Sequence, residues 1–209
     1  MIGIVCAMEE EAKEIIHTFS LEKKENQPFQ VYQKDAMVLI ISQIGKVYAA
    51  LATDYLLHHY PLDVIVNIGL AGKINPVLHT GDVFLVREVA QHDIDIPDDF
   101  CPAYLKASIP CFIPVSMDTV KTVSLVTGDQ LVRDPETVRR LVRMGDIVDM
   151  EGYSVALTAK LYSIPCILIK GISDNADAQA IDAMMQNVRV IMQKSIAVVH
   201  MIKNIYEQN

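Results

Sequence analysis

The sequence predicts an α/β fold with a mixed or mostly parallel sheet, on the basis of two observations. Strand-like runs alternate with helical patterns along the chain, which is typical of a sheet covered by helices. Several of these runs are apolar at nearly every position, as expected for strands buried on both faces. With 209 residues and a hydrophobic fraction of 51%, the chain can bury a sizeable core, and we expect a single domain over residues 1–209.

The first half of the chain predicts four strands and two helices. Apolar runs indicate strands over residues 1–7, 29–34, 37–42 and 63–71. Helical patterns over Glu9–Ser20 and Lys46–His59 follow the first and the third of these strands. This alternation places the first half in the α/β class.

The second half continues the pattern with four strands and three helices. Strands are expected over residues 82–90, 123–128, 146–150 and 166–173, and helices over Pro135–Arg143, Glu151–Tyr162 and Ala178–Tyr206. The first of these helices has Asp134 as a candidate N-cap and a proline in its first turn. Residues 91–112 hold three prolines and several acids, which predicts a loop excursion.

The last predicted helix carries an apolar stripe at helical spacing. Its members are Ile181, Met184, Met185, Val188, Ile191, Met192 and Ile196. We expect this stripe to lie in the core or in a subunit interface.

Charge and composition disfavour several classes of partner. The net charge is −8 and no basic cluster stands out, which argues against a nucleic-acid-binding face. No apolar run reaches the ~18–20 residues of a membrane span. The N-terminal stretch MIGIVCAMEEEAKE lacks a basic region, so we do not expect a secretory signal. The expected partner is therefore a small molecule.

The four cysteines are scattered along the chain. Cys6 and Cys166 lie in strand-like runs, which predicts reduced core cysteines in a cytoplasmic protein. No CxxC or paired-histidine spacing indicates a zinc site, so no metal is expected.

Acidic residues follow three of the predicted strands. Glu11 comes after the first strand, Glu151 after the seventh and Asp174 at the end of the eighth. Taken singly, each is explained by the preference of helix N-termini for negative charge. Ligands of open α/β sheets bind at the carboxyl ends of the strands, however, and carboxylates gathered there can divide into an acid and a base.

Glycines also lie at these strand ends. Gly69 and Gly72 in NIGLAG, and Gly45 in QIGK, would let the backbone approach a ligand closely, although each also suits an ordinary turn. Neither GxxxxGK[ST] nor GxGxxG is present, so the nucleotide-binding loops that those spacings encode are not predicted.

Six short motifs resemble those of one known family. AMEEE, IGK, NIGLAG, a GD after a strand, DMEG and ISDNAD come in the order seen in the 5′-methylthioadenosine/S-adenosylhomocysteine nucleosidases. These enzymes belong to the purine nucleoside phosphorylase/uridine phosphorylase superfamily. The resemblance extends from Met1 to the last helix. It implies a three-layer α/β/α sandwich around a mixed, partly barrel-like sheet, and usually a homodimer.

The resemblance also implies a reaction, in which water cleaves the N-glycosidic bond of an adenine nucleoside. By position, Glu11 resembles the base that activates the water and Asp174 the acid that helps adenine to leave through N7. Ser173 would orient Asp174. Glu151 resembles the glutamate that accepts hydrogen bonds from the ribose hydroxyls, with Met150 against the sugar ring. No metal or organic cofactor is implied.

The remaining pocket residues are also carried over from the resemblance. Val132 falls where a backbone group meets the adenine edge, and Leu131 where the family has a phenylalanine that stacks on adenine. The other residues expected to line the pocket are Met8, Ile44, Ala71 and Gly72.

The sequence departs from the family pattern at several of these positions. Leu131 removes an aromatic surface, and Leu70 replaces a serine near the attacking water. Lys170 stands where an arginine is common, which loses the planar fork of the guanidinium. Asp149 replaces a glutamate. The aromatic loop after the HDID segment is shortened to IPDDFCPAY.

Four functions are therefore compared. An adenine-nucleoside hydrolase fits best, and a hydrolase of another purine nucleoside, such as a futalosine type, suits the altered loop. A phosphorylase would need a cationic phosphate site, but no G-x-P-x-R-like segment is present. A non-catalytic nucleoside-binding paralogue has no evident need for both Glu11 and Asp174. For His92 and Asp93, a loop hydrogen bond or a dimer contact is expected.

Overall fold

The computed structural model describes residues 1–97 and 99–207. Its strands are β1 (Ile2–Cys6), β2 (Glu22–Glu25), β3 (Gln30–Lys34), β4 (Met37–Ile41), β5 (Val64–Lys73), β6 (Val83–Gln91), β7 (Ile109–Pro110), β8 (Thr122–Thr127), β9 (Ile147–Asp149) and β10 (Cys166–Asp174). Its helices are α1 (Glu9–Thr18), α2 (Lys46–His59), α3 (Ala103–Lys106), α4 (Pro135–Leu141), α5 (Gly152–Leu161) and α6 (Ala180–Glu207), with a 3-10 turn at Val115–Met117.

The sheet is mixed, and part of it closes into a barrel. The strand order is β10-β6-β8-β9-β5-β1-β4-β3-β2, and β10 also pairs with β5. Strands β5, β10, β6, β8 and β9 therefore form a closed five-stranded ring, from which β1, β4, β3 and β2 extend as an open arm. The closure depends on the length of β5, which pairs with β1 near its start and with β9 at Gly72 and Lys73. The predicted mixed, partly barrel-like sheet is confirmed.

Helices cover the sheet on both sides, which gives the predicted three layers. On one side, α1 and α6 pack on a cluster that includes Ile15, Ile68 and Val199. On the other side, α2 and α5 pack together on a cluster that includes Leu56, Ile65 and Val155. β4 is buried at all five positions, as its uniformly apolar sequence predicts.

Two strands and one helix were not predicted. β2 is EKKE, an exposed edge strand that pairs only with β3 and carries no apolar alternation. The short elements α3 and β7 lie inside residues 91–112, which the sequence predicted as a loop throughout. The predicted helix ends were close but not correct. α4 ends at Leu141, α6 spans Ala180–Glu207, and Glu151 precedes α5 as its N-cap.

The apolar stripe of α6 divides between two environments. Val188, Ile191, Met192 and Ile196 are buried in the core, as predicted. Met184 packs against the core and also lines the cavity described below. Ile181 lines the same cavity and is 48% exposed, and Met185 is 51% exposed, so these two residues do not lie in the core. A subunit interface stays a prediction for them.

The predicted core position of Cys6 and Cys166 is confirmed. Cys6 and Cys166 are buried, and all four thiols are free. None of the helices in residues 1–97 and 99–207 combines the length and apolar character that a membrane crossing requires.

Candidate active site

A cavity of about 370 Å³ opens at the carboxyl ends of β1, β5, β9 and β10. The residues predicted for the site all lie on its wall. They are Glu11 and Asp174 together with Met8, Ile44, Ala71, Gly72, Leu131, Val132, Met150, Glu151 and Ser173. Residues more than 160 positions apart in the chain therefore converge on one site.

Glu11 lies in the first turn of α1 with its side chain buried. Its Oε2 accepts hydrogen bonds from the backbone N–H groups of Ala7 and Met8 at 3.0 and 3.1 Å. Its Oε1 accepts from the Leu70 N–H at 2.9 Å. Burial raises the pKa of Glu11, opposed by the Leu70 N–H and the Lys170 charge. Three of about four acceptor positions on this carboxylate are occupied, which leaves one for a ligand.

The local explanation of Glu11 as a first-turn charge therefore also holds. Its bond to the Met8 N–H is the reciprocal contact of a capping box, because Met8 is the N-cap of α1. The same carboxylate both caps the helix and faces the cavity.

Asp174 is the last residue of β10 and is also buried. Ser173 Oγ donates to its Oδ2 at 2.6 Å, and the Ala176 N–H donates to its Oδ1 at 2.8 Å. Burial raises the pKa of Asp174, and these two hydrogen bonds oppose the shift. α6 begins only at Ala180, so the alternative reading of Asp174 as a helix cap was wrong.

The two glycines of NIGLAG each lie against one of these acids. A Cβ on Gly69 would stand 2.8 Å from Glu11 Oε1, and a Cβ on Gly72 would stand 3.0 Å from Asp174 Oδ1. We predicted that these glycines admit a ligand to the backbone. The space at Gly69 and Gly72 is instead taken by the two carboxylates, so the motif packs them against β5.

Replacing Gly69 with alanine should lower kcat for the nucleoside hydrolysis expected from the sequence roughly 100-fold, because a displacement of a catalytic group by about 1 Å can cost that much. The new methyl group meets the far end of a flexible side chain, so the carboxylate of Glu11 moves while the strand stays in place. Turnover and the melting temperature would be measured together. A variant with wild-type kcat would contradict a role for this packing.

Glu151 lies between β9 and α5 and is buried. Its Oε1 accepts a hydrogen bond from the Gly45 N–H at 2.8 Å. Gly45 has a φ of +103°, a backbone conformation that favours glycine. In this conformation its N–H points to the carboxyl group of Glu151. Burial, together with the charge of Asp149, raises the pKa of Glu151 to about 8.

A buried ion pair lies beside Glu151. Lys170 Nζ is 2.7 Å from Asp149 Oδ2, and both side chains are 1% exposed. Asp149 Oδ2 also accepts from the Gly152 N–H at 2.9 Å, and Oδ1 accepts from Thr127 Oγ at 2.5 Å. Burial lowers the pKa of Lys170, but the carboxylates of Asp149 and Glu151 outweigh it and leave the pKa raised.

Five other cavity-lining residues were missed, namely Ala7, Gln130, Val148, Ile181 and Met184. Leu70 and Asp149, which the family resemblance placed at altered positions of the site, also line the cavity. Ala7 and Gln130 adjoin a predicted site residue in the chain, so the sequence did carry a signal for them. Ile181 and Met184 had no such neighbour and were assigned by their helical spacing alone.

The HDID segment lies near the start of α2. Asp93 Oδ1 is 2.7 Å from Lys46 Nζ, and Asp93 Oδ2 accepts from the Asp129 N–H at 2.8 Å, which confirms the predicted loop hydrogen bond for Asp93. The His92 ring packs against Gly128, and within the described part of the chain its two nitrogens have no hydrogen-bond partner. Burial lowers the pKa of His92.

Comparison with known proteins identifies the class to which this fold and cavity belong. A family model described as the phosphorylase superfamily matches residues 1–203. The chain therefore belongs to the phosphorylase superfamily.

Within that superfamily, the chain is similar to nucleosidases. It is 31% identical to the 5′-methylthioadenosine/S-adenosylhomocysteine nucleosidase of Buchnera aphidicola subsp. Acyrthosiphon pisum (strain APS), over 90% of each chain. It is 28% identical to the aminodeoxyfutalosine nucleosidase of Helicobacter pylori (strain J99), over 86% of this chain and 87% of that one.

A solved structure agrees with these relatives. The 5′-methylthioadenosine/S-adenosylhomocysteine nucleosidase of Neisseria meningitidis, in complex with methylthio-immucillin-A, has a TM-score of 0.81 and 25% identity, covering 92% of this chain and 93% of that one. The resemblance inferred from the short motifs is confirmed by these matches.

Proposed function

We propose that this protein is a hydrolase that cleaves the N-glycosidic bond of adenine nucleosides of the 5′-methylthioadenosine/S-adenosylhomocysteine type. The products would be adenine and a 5-substituted ribose. The observation that carries the proposal is the convergence of two buried carboxylates, Glu11 and Asp174, on one cavity that also holds Glu151. The similarity to nucleosidases supports the same reaction.

The two acids have environments suited to different roles. Burial raises the pKa of both acids. For Glu11, three backbone hydrogen bonds and the charge of Lys170 oppose that shift and favour the carboxylate form that a base requires. Among the described residues, no cation opposes the shift of Asp174, and the charge of Asp177 adds to it, which favours the protonated form that an acid requires. Glu11 would take a proton from a water molecule as the oxygen of that water attacks C1′ of the sugar. As the bond from C1′ to N9 breaks, its electrons pass to adenine and Asp174 protonates N7.

Glu151 would contact the ribose hydroxyls. Breaking the glycosidic bond places positive charge on the sugar, as in other glycoside hydrolyses. That charge would favour ionisation of Glu151, so its interaction with the sugar strengthens as the bond breaks. The apolar wall formed by Met8, Met150 and Val132 suits the sugar and base. We assign no metal or organic cofactor to these steps.

A futalosine-type nucleoside is a second candidate substrate, favoured by the similarity to the Helicobacter pylori aminodeoxyfutalosine nucleosidase. The cavity mouth is also open. Ile44 lines the cavity and remains 52% exposed, which is consistent with room for a larger 5′ group.

Adenine release from methylthioadenosine, adenosylhomocysteine and a futalosine-type nucleoside would test the proposal, with and without phosphate. We expect release without phosphate and free ribose-type sugar, with methylthioadenosine or adenosylhomocysteine preferred. A preference for the futalosine-type nucleoside would select the second candidate. Release only with phosphate would make the protein a phosphorylase, and tight binding without release would make it a binding paralogue.

The proposal includes a homodimer. Val47, Tyr48 and Leu51 form a stripe along α2 at helical spacing, which Ile44 extends just before the helix, and each side chain is more than half exposed. This stripe begins at the cavity mouth. Sedimentation should give about twice 23.3 kDa. Leu51→Glu should yield monomers, whereas Val190→Glu, on the opposite helical layer, should not.

The location and physiological role are proposed in the same terms. The buried free thiols of Cys6 and Cys166 support a reducing, cytoplasmic environment. A nucleosidase of this type would serve methionine salvage. Residues 1–209 would act as one domain, because the family model spans nearly all of them.

A further inference from the structure

Two buried side chains of opposite charge are in direct contact. Asp149 ends β9 and lines the cavity, and Lys170 lies in β10. The two residues are 21 positions apart on β9 and β10, strands that flank β5 without pairing to each other. Their side chains nevertheless meet at 2.7 Å and are shielded from solvent. Because neither charge is solvated, removing one partner would leave the other buried without compensation.

Asp149 fixes the backbone that carries Glu151. Its Oδ2 accepts from the Gly152 N–H at the start of α5, and its Oδ1 accepts from Thr127 Oγ at the end of β8. Thr127 Oγ in turn accepts from the Tyr153 N–H at 3.0 Å. Asp149 thus holds the backbone that follows Glu151 in two ways, directly through the Gly152 N–H and indirectly through Thr127, which bonds to the Tyr153 N–H.

Lys170 is the buried cation beside the site carboxylates. Lys170 in β10 is paired in register with Gly69 in β5, and Gly69 lies against the carboxylate of Glu11. The buried ammonium is therefore close to Glu11 as well as to Asp149, and its charge opposes the rise in the pKa of Glu11 that burial causes. An ammonium buried near Glu11 favours the ionised form of that carboxylate. Asp149 holds Lys170 in place, because it forms the 2.7 Å ion pair with it.

We propose that Lys170 and Asp149 form a positioning pair, in which Asp149 orders the turn that carries Glu151 and holds the charge of Lys170 beside the carboxylate of Glu11. The pair is a positioning device and touches neither the sugar nor the base in this assignment. The inference rests on the proposed hydrolase function. It assigns one joint role to two residues that are joined by a buried ion pair.

A set of variants tests the pair with methylthioadenosine. Lys170→Met keeps the side-chain volume and removes the charge. We expect its kcat to fall roughly 100-fold, and the acid limb of kcat/KM to move to higher pH. The sign follows because removing the cation raises the pKa of Glu11, so the base becomes protonated at a higher pH. A purely structural role would lower the rate without moving that limb.

Double variants test the coupling between the two residues. In Lys170→Met/Asp149→Asn, neither member of the pair remains as an unpaired charge. The loss of kcat should therefore be at least about tenfold smaller than the product of the two single losses. Lys170→Arg/Asp149→Glu keeps one charge of each sign, so its loss should be smaller than the product of the two single losses. These double variants remain informative if Lys170→Met fails to fold.

The outcomes separate the pair from the underlying function. Wild-type protein that releases no adenine would refute the hydrolase. Active wild-type protein whose Lys170→Met variant keeps the wild-type acid limb would overturn the pair, as would single losses that multiply in both double variants. Lys24→Met is the control, because Lys24 forms an exposed ion pair with Glu22 at 3.2 Å, and it should change neither rate nor pH profile.

Discussion

Replacing Asp174 with asparagine should lower kcat for adenine release by roughly 10²–10⁴-fold, the contribution typical of a general acid. Asparagine has no proton to give to N7 of the leaving base. The fold should be unaffected, because both hydrogen bonds to this side chain can be kept. The amide oxygen accepts from the Ala176 N–H, and the amide group donates to Ser173 Oγ, whose hydroxyl can rotate.

The pH dependence gives this prediction a second readout. Burial raises the pKa of Asp174, and only its protonated form can act as the acid. Wild-type kcat should therefore fall as the pH rises through this raised pKa. In Asp174→Asn that basic limb should be absent from the residual rate.

Asp182→Asn is a suitable control because Asp182 lies exposed in the first turn of α6. It should retain both the wild-type rate and the wild-type basic limb. Wild-type kcat in Asp174→Asn would remove Asp174 from the role of acid.

Replacing Glu11 with glutamine should reduce turnover by a similar factor, roughly 10²–10⁴-fold, and should also destabilise the protein. The activity is lost because an amide cannot take a proton from water. Stability is lost because all three hydrogen-bond partners of this carboxylate are backbone N–H groups, which cannot accept. An amide group turned toward either side leaves at least one buried donor without a partner, at a cost of about 1–3 kcal/mol.

Kinetic assay and calorimetry would measure the two losses separately. Glu10→Gln is the matched control, because Glu10 lies one residue away in the same helical turn with an exposed side chain. It should leave rate and melting temperature unchanged. Full activity in Glu11→Gln would exclude Glu11 as the base, and an unchanged melting temperature would contradict the stabilising role of its three hydrogen bonds.

Much of the fold was predictable because its strands are buried on both faces. Runs such as MVLII at residues 37–41 can only be buried when helices cover both sides, so the α/β class follows from the pattern. The barrel was expected from the family resemblance alone. Its closure depends on which strands pair with β5, and strand partners are not encoded in local periodicity. Edge strand β2 was missed because EKKE has no face to bury.

The candidate site was predicted to a similar extent. Strand ends carrying acids indicated Glu11, Glu151 and Asp174, and the family motifs added the cavity wall around them. The roles of these residues stay predictions until the variants are measured. The turns of α6 at Ile181 and Met184 were missed, because helical spacing cannot distinguish a core-facing residue from one that faces a cavity.

The sequence by itself determined the fold class, the buried strands and the identity of the acids, because apolar periodicity and short motifs are local properties. Only the tertiary structure decided what those residues contact. It placed Gly69 against Glu11 and Gly72 against Asp174, and it joined Asp149 to Lys170. Such contacts arise where β1, β9 and β10 converge around β5, and their geometry depends on strand order and register.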